Sequence, residues 1–183
     1  MIKPRPIFIF PKSIGYSGKE ESAYIIINNL IDRGWSPKII KIPALDRSKL
    51  KEPFYFLKYF VTYSNTIIKS ICVSLVKTPK YINLGQSAVS LFRDGLIYLI
   101  CVNFHGYRYG IINLHGNDFM YWHKSNYKAL FFRLIAKTSR TITILGPNQK
   151  NKLLSFGIKP NQLMILDNTC TLRPLNENEV IDK

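Results

Sequence analysis

The feature that most constrains this chain is a rhythm in which short apolar runs alternate with longer segments of helical spacing. Residues 6–11 (PIFIFP) read as a buried strand, residues 12–18 (KSIGYSG) as a loop, and residues 19–33 as a helix. In that helix Ala23, Ile26, Ile27 and Leu30 share one face. Ser17 with Glu20 forms a capping-box pattern, and Gly34 offers a left-handed end. A second strand follows at 38–43. The cycle then repeats: helix 53–76, strand 81–84, helix 87–102, strand 110–114, helix 119–137, strand 141–145, a helix opened by Pro147 and closed by Gly157, and strand 162–166. Strands that are apolar at successive positions and separated by helices belong to a parallel sheet. The predicted fold class is α/β: an open, mostly parallel sheet with helices on both faces, Rossmann-like. At 183 residues the chain suits one such domain, predicted over 1–175, with 176–183 as a linker or tail.

Twenty-six Lys plus Arg against 11 Asp plus Glu give a formal charge of +15, which favours an anionic partner: nucleic acid, a phosphorylated ligand or an anionic membrane face. No nucleic-acid-binding motif accompanies the charge, so nucleic acid is the disfavoured partner. The basic stretch 119–160 has no carboxylate and is also spaced as a solvated helix face would be. Phe54, Tyr55, Phe56, Tyr59, Phe60 and Tyr63 crowd the start of the second helix. Core packing is their expected use, with a helix lying in a membrane interface as the alternative.

Cys72, Cys101 and Cys170 are odd in number and far apart, and two lie in apolar runs, as buried thiols of a reducing compartment would. The apolar stretch before Lys12 is too short for a signal peptide. A cytoplasmic location is expected, with a peripheral place at the inner face of the membrane as its variant.

In an open parallel sheet, right-handed crossovers bring ligands to the carboxyl ends of the strands. Gly15 and Gly18 follow the first strand, Gly85-Gln86-Ser87 the third, and His115-Gly116-Asn117-Asp118 the fourth, so three polar glycine loops are expected on one edge. A glycine loop before a helix lets backbone N–H groups meet an anion. Yet the dinucleotide fingerprint is absent, and Glu20-Glu21 in the first helical turn would compete with a phosphate. His115 ends an apolar run, where it reads either as a core histidine or as a ligand contact. Gly116 permits a close turn, and Asn117 and Asp118 bring groups suited to hydroxyls, although Asp118 equally suits a helix cap. His105, His115, Asp118 and His123 match no zinc spacing, no serine elbow is present, and no metal is expected.

Four features together resemble the N-terminal domain of family 4 glycosyltransferases of the two-Rossmann-domain (GT-B) type. They are the glycine loop after the first strand, Asp32-Arg33-Gly34-Trp35 at the first helix end, His115-Gly116 after the fourth strand, and the segment 141–169 (TITILGPNQKNKLLSFGIKPNQLMILDNT) with Gly157-Ile158, Met164-Ile165-Leu166 and Asn168. The resemblance implies a hexosyltransferase-like, retaining transfer of a sugar from a nucleotide-sugar donor to a glycan or lipid-linked acceptor in cell-surface polysaccharide synthesis, with no cofactor. It assigns His115 to the donor sugar as the catalytic candidate and Gly15, Gly18 and Gly116 to donor binding. Acceptor binding falls to Tyr16, Gln86, Asn117 and Asp118. Such a chain lacks the second, nucleotide-binding Rossmann domain, which becomes its expected partner along with the nucleotide sugar, the acceptor and an anionic membrane surface; by itself the chain is expected to be inactive. The alternative is a stand-alone basic α/β module that binds a membrane surface or nucleic acid without catalysis.

Overall fold

A computed structural model describes residues 5–12, 18–49, 51–102, 110–114 and 116–166, apart from the side chains of 18–22 and 47. Its strands are β1 (Ile7–Pro11), β2 (Lys38–Ile42), β3 (Lys80–Asn83), β4 (Gly110–Asn113), β5 (Thr141–Ile144) and β6 (Leu163–Ile165). They form one sheet in the order β2-β1-β3-β4-β5-β6, and every pairing is parallel. The helices are α1 (Gly18–Asp32), α2 (Tyr55–Ser74), α3 (Ala88–Val102), α4 (Tyr127–Lys137) and α5 (Pro147–Ser155). This is the expected open α/β arrangement.

Alternate residues of each strand serve different layers because the side-chain period of a strand is two. Ile9, Ile82, Ile112 and Ile142 are fully buried in the larger core, together with Val73 of α2, Leu91 and Ile97 of α3, Phe132 and Ile135 of α4, and Leu153 of α5. The intervening Phe8, Phe10 and Tyr81 meet Ala23 and Ile27 of α1 on the opposite face. Each fully buried side chain of this size contributes roughly 1.5–3 kcal/mol relative to exposure. The expected helix ends are present: Gly34 at φ 74° and Gly157 at φ 84° close α1 and α5, and Pro147 opens α5.

Three expectations are corrected. The helix expected over 119–137 is interrupted. A 3-10 turn, Asp118–Tyr121, is followed by extended Trp122, and α4 starts afresh at Tyr127 behind Asn126, whose side chain accepts a hydrogen bond from the Lys128 N–H at 3.0 Å. The break follows from packing. Phe119 and Trp122 are both drawn into the core, edge-to-face at 6.4 Å, with Phe132 against Trp122 at 6.3 Å.

The aromatic start of α2 is not core: Phe54, Phe56 and Phe60 are 80%, 66% and 61% exposed. The inward residues of α2 are instead Thr66, Ser70, Val73 and Ser74. Their hydroxyls are satisfied by carbonyls of the same helix, Thr66 Oγ1 to Thr62 and Ser70 Oγ to Thr66, so small side chains can face the sheet without stranding a polar group. Third, Cys72 is exposed while Cys101 is buried.

Candidate functional site

The chain leaves β1 for β2 on one side and leaves β3 for β4 on the other, so the connections after β1 and β3 diverge and open a crevice at the carboxyl ends of the strands. On this edge Asn83, Asn113 and Thr143 stand in register on β3, β4 and β5. All three are buried, and burying such groups is costly unless they are paired. Here they pair with one another. Asn113 Nδ2 donates to Asn83 Oδ1 at 2.7 Å, and Thr143 Oγ1 donates to Asn113 Oδ1. The ladder locks together the strand ends from which the candidate loops spring.

The loop after β3 is fixed by close approach. A Cβ on Gly85 would lie 2.3 Å from Ser90 Cβ and 2.8 Å from Asp94 Oδ2, so only glycine fits. Asp94, fully buried, accepts from the Gly85 N–H at 3.1 Å and from Arg93 Nε at 2.7 Å. Burial works against the Arg93 charge, but the adjacent Asp94 carboxylate more than restores it and leaves the guanidinium pKa raised. Arg93 also donates to the Pro43 carbonyl, tying this turn to the end of β2.

The next residue, Gln86, is buried and reaches the loop after β4: its Nε2 donates to the Gly116 carbonyl at 3.3 Å, and its Oε1 accepts from the Phe119 N–H at 3.1 Å. Gln149, on the first turn of α5, meets the same loop from the other side. Its Nε2 lies 3.1 Å from the Gly116 carbonyl and 2.7 Å from Asn117 Oδ1, while its Oε1 accepts from the Leu145 N–H at 2.8 Å. Gly116 itself has φ 102°, a backbone conformation that disfavours any side chain. Asn117 and Asp118 are exposed, and neither caps the following 3-10 turn through its side chain. Beside them a cavity of about 590 Å3 opens between the turn and the start of α5, lined by Asn117, Met120, Tyr121, Gly146, Asn148 and Gln149. Gly146, Pro147, Asn148 and Gln149 bring the N-terminus of α5 to the wall of this cavity, and the positive end of a helix favours oxygen-rich ligands.

Gln86, Gly116, Asn117 and Asp118 are thus brought to one edge. Gly18 begins α1, after β1 on the same edge of the topology. His115, Gly15 and Tyr16 lie outside the described residues, as do Ser17 of the capping box, Cys170 and His105. His123 lies near Ser125, its Nδ1 2.8 Å from the hydroxyl oxygen, in the turn before α4. Among the described residues no three His, Cys, Asp or Glu side chains gather as a metal site would require.

Sequence reasoning missed Gln149, Asp94 and the polar ladder. The ladder had a signal: Ile82-Asn83-Leu84 and Ile112-Asn113-Leu114 repeat one pattern at two strand ends, each just before a candidate loop. Gln149 had none, because its role depends on which loop lies across from α5.

The chain matches no protein-family model and no curated protein.

Proposed function

We propose that the chain is the acceptor-side half of a retaining, GT-B-type glycosyltransferase, transferring a sugar from a nucleotide-sugar donor to a glycan or lipid-linked acceptor at the inner face of a membrane, in concert with a nucleotide-binding Rossmann domain. The observation that carries the reading is the double clamp on Gly116. Two glutamine amides, one from the loop after β3 and one from the first turn of α5, converge on one carbonyl and fix the backbone immediately after position 115. A sugar contact needs that fixity, since misplacement by about 1 Å can cost a hundredfold in rate.

On this reading His115 hydrogen-bonds the donor sugar, Gly116 lets the backbone come close to it, and Asn117 and Asp118 offer an amide and a carboxylate to acceptor hydroxyls. Gln86 holds the loop while lying next to the acceptor path. Gly15, Tyr16 and Gly18 border the donor phosphates and acceptor from the loop after β1. The transfer relies on positioned hydrogen bonds rather than on a metal.

The test compares the parent chain with His115→Ala in thermal unfolding and in binding of a panel of nucleotide sugars, read by saturation transfer. Loss of binding with an unchanged melting temperature is expected. A melting temperature many degrees lower, with binding retained by the folded fraction, would make His115 a core residue and end the assignment. The purified chain alone should also show no enzyme-like turnover; a rate of roughly 1 per second or faster would overturn the half-enzyme reading.

A further inference from the structure

At the edge of the sheet opposite the candidate site, α4 ends in a short turn before β5, and the loop from α5 to β6 packs against that turn. Between the two segments lies a cavity of about 590 Å3, lined by Arg133, Lys137, Ser139, Arg140, Lys159 and Gln162. Gly157 forms part of its wall. At φ 84° this glycine turns the chain out of α5, and a Cβ added there would meet nothing within 4 Å, so the wall at this point is backbone with open space before it.

Four cations converge on this cavity without an acid among them. Arg133 and Lys137 stand one turn apart on α4, Arg140 immediately precedes β5, and Lys159 comes from the loop after α5. Between Pro53 and Leu166 the only carboxylates are Asp94 and Asp118. Asp94 is buried against Gly85 and Arg93, and Asp118 lies in the turn after β4 at the other edge. Among the described residues none of the four cationic side chains has a hydrogen-bond or ion-pair partner. The end of α4 does not need them. Gln162 Nε2 donates to the Ala136 and Ser139 carbonyls at 3.1 and 2.8 Å, the Thr138 hydroxyl to Ile135 and the Ser139 hydroxyl to Ala136. The helix dipole favours Lys137 in the last turn but falls off beyond it, where Arg140 and Lys159 lie. Like charges gathered around a recess repel one another until an anion enters.

We infer that this cavity binds a small soluble ligand carrying two phosphate monoesters on a hydroxylated skeleton. Cations on two facing walls suit two phosphates rather than one, with the arginines able to bind phosphate oxygens in pairs and the lysines acting as point charges. Gln162 commits its Nε2 to the end of α4, which leaves its Oε1 to accept from a ligand hydroxyl, and Asn161 is exposed beside it. The volume falls within the range of roughly 300–1,000 Å3 usual for small-molecule sites. No aromatic ring is among the described residues that line it, so a nucleobase finds nothing to stack on. A nucleotide sugar, with both phosphates internal and a base to accommodate, is therefore not its ligand. The two sites are separated by α5, which meets the candidate site at Gln149 and ends at Ser155, just before Gly157. The inference holds or fails independently of the transferase reading.

The experiment is titration of the full chain with fructose 1,6-bisphosphate, beside fructose 6-phosphate and inorganic phosphate, followed through the backbone amides by NMR. Salt at about 0.15 M screens diffuse surface attraction beyond roughly 8 Å. Shifts should centre on Arg133–Arg140 and Gly157–Gln162, and the bisphosphate should bind about tenfold more tightly than either monophosphate. Arg133→Gln with Arg140→Gln should weaken its binding about tenfold at an unchanged melting temperature. Should that pair disturb folding, Lys137→Gln with Lys159→Gln, both exposed, serves in its place. Lys124→Gln, which removes an exposed cation from the turn before α4, should leave binding as it was. Equal affinity for the three probes, binding to none of them, shifts centred elsewhere, or equal weakening by Lys124→Gln overturns the inference. Displacement of the bisphosphate from these residues by phosphatidylglycerol vesicles would make a lipid headgroup the occupant, and displacement by a single-stranded oligonucleotide would make it a nucleic acid; either result overturns the soluble ligand.

Discussion

Gln86 and Gln149 share one acceptor: from the loop after β3 and from the first turn of α5, their Nε2 groups donate to the Gly116 carbonyl at 3.3 and 3.1 Å. Each also uses its Oε1 on a backbone N–H, that of Phe119 for Gln86 and that of Leu145 for Gln149. Both ends of both amides are therefore committed, and the loop after β4 is held by side chains that themselves have little freedom. A loop at a strand end is usually the soft part of such a domain. This one is braced.

Replacing either glutamine by leucine strands one backbone N–H, that of Phe119 for Gln86 or that of Leu145 for Gln149, while the Gly116 carbonyl keeps its bond to the other glutamine; the stranded group costs about 1–3 kcal/mol. The shape-conserving Gln149→Glu should cost as much, since a carboxylate oxygen would then face the Gly116 carbonyl and Asn117 Oδ1. Urea unfolding of each variant measures this. Near-parental midpoints would mean that the bonds do not constrain the loop.

Gly116→Ala and Gly157→Ala form a matched pair. At Gly116 the nearest atoms to an added Cβ are those of Gln86, 3.7–4.0 Å away, and at Gly157 there is nothing within 4 Å, so in both the penalty is backbone conformation at φ 102° and 84°. Each should lose about 1–2 kcal/mol of stability. Only Gly116→Ala should also weaken nucleotide-sugar binding. Equal binding by the two variants would detach Gly116 from the site.

How far the sequence reveals this molecule depends on how local the determining forces are. The order of elements was legible because each strand and helix carries its own period, as in Ala23, Ile26, Ile27 and Leu30 of α1, and because Gly34, Pro147 and Gly157 mark ends by backbone chemistry alone. The break before α4 was obscured because Phe119 to Trp122 continue an apolar helical pattern, although the Asn126 cap that restarts the helix was in plain view. The exposure of Phe54, Phe56 and Phe60 could not be read, since the composition of α2 does not say which side meets the sheet, and the small Thr66 and Ser70 won that side by fitting closely. Of the site, the loops after β3 and β4 and their common edge were legible; the glutamine clamp was not, because it joins residues 30 or more positions apart.

Gly110→Ala should be among the most damaging single changes. A Cβ there would lie 2.0 Å from Tyr98 Oη and 3.2 Å from the Thr138 carbonyl, with Tyr98 fully buried and unable to withdraw. Overpacking of this kind costs about 1–3 kcal/mol or more. Differential scanning calorimetry of Gly110→Ala, with Tyr98→Phe restoring part of the loss in the double variant, tests it; no drop in melting temperature would contradict the packing described.

Alkaline pH should destabilise the fold. Burial pushes the Cys101 thiol up to about 11, with the Ser70 hydroxyl and the Lys80 charge opposing it. Burial likewise raises the Tyr81 and Tyr98 phenols. For Cys101 the unfolded chain loses its proton first, near pH 9, so the stabilisation is complete below that pH and is lost as pH rises toward about 11. Lys80, whose pKa is lowered by burial, acts in the opposite sense: the unfolded chain holds that proton longer, so its contribution to stability rises with pH through the same region. With three groups against one, the urea midpoint should fall above pH 9, and Cys101→Ala should flatten the slope. A midpoint that rises over this range would contradict the burial of these groups.

The most direct test of the central claim is to follow the backbone amides of the chain by heteronuclear NMR while adding nucleotide sugars to millimolar concentration. The account predicts shifts confined to the carboxyl edge of the sheet, at Gly85–Ser87, Leu114–Asp118 and Leu145–Gln149, and absent from His115→Ala. Shifts centred instead on the opposite edge of the sheet, in the cavity lined by Arg133, Lys137 and Arg140, or no shifts with any donor, would contradict it.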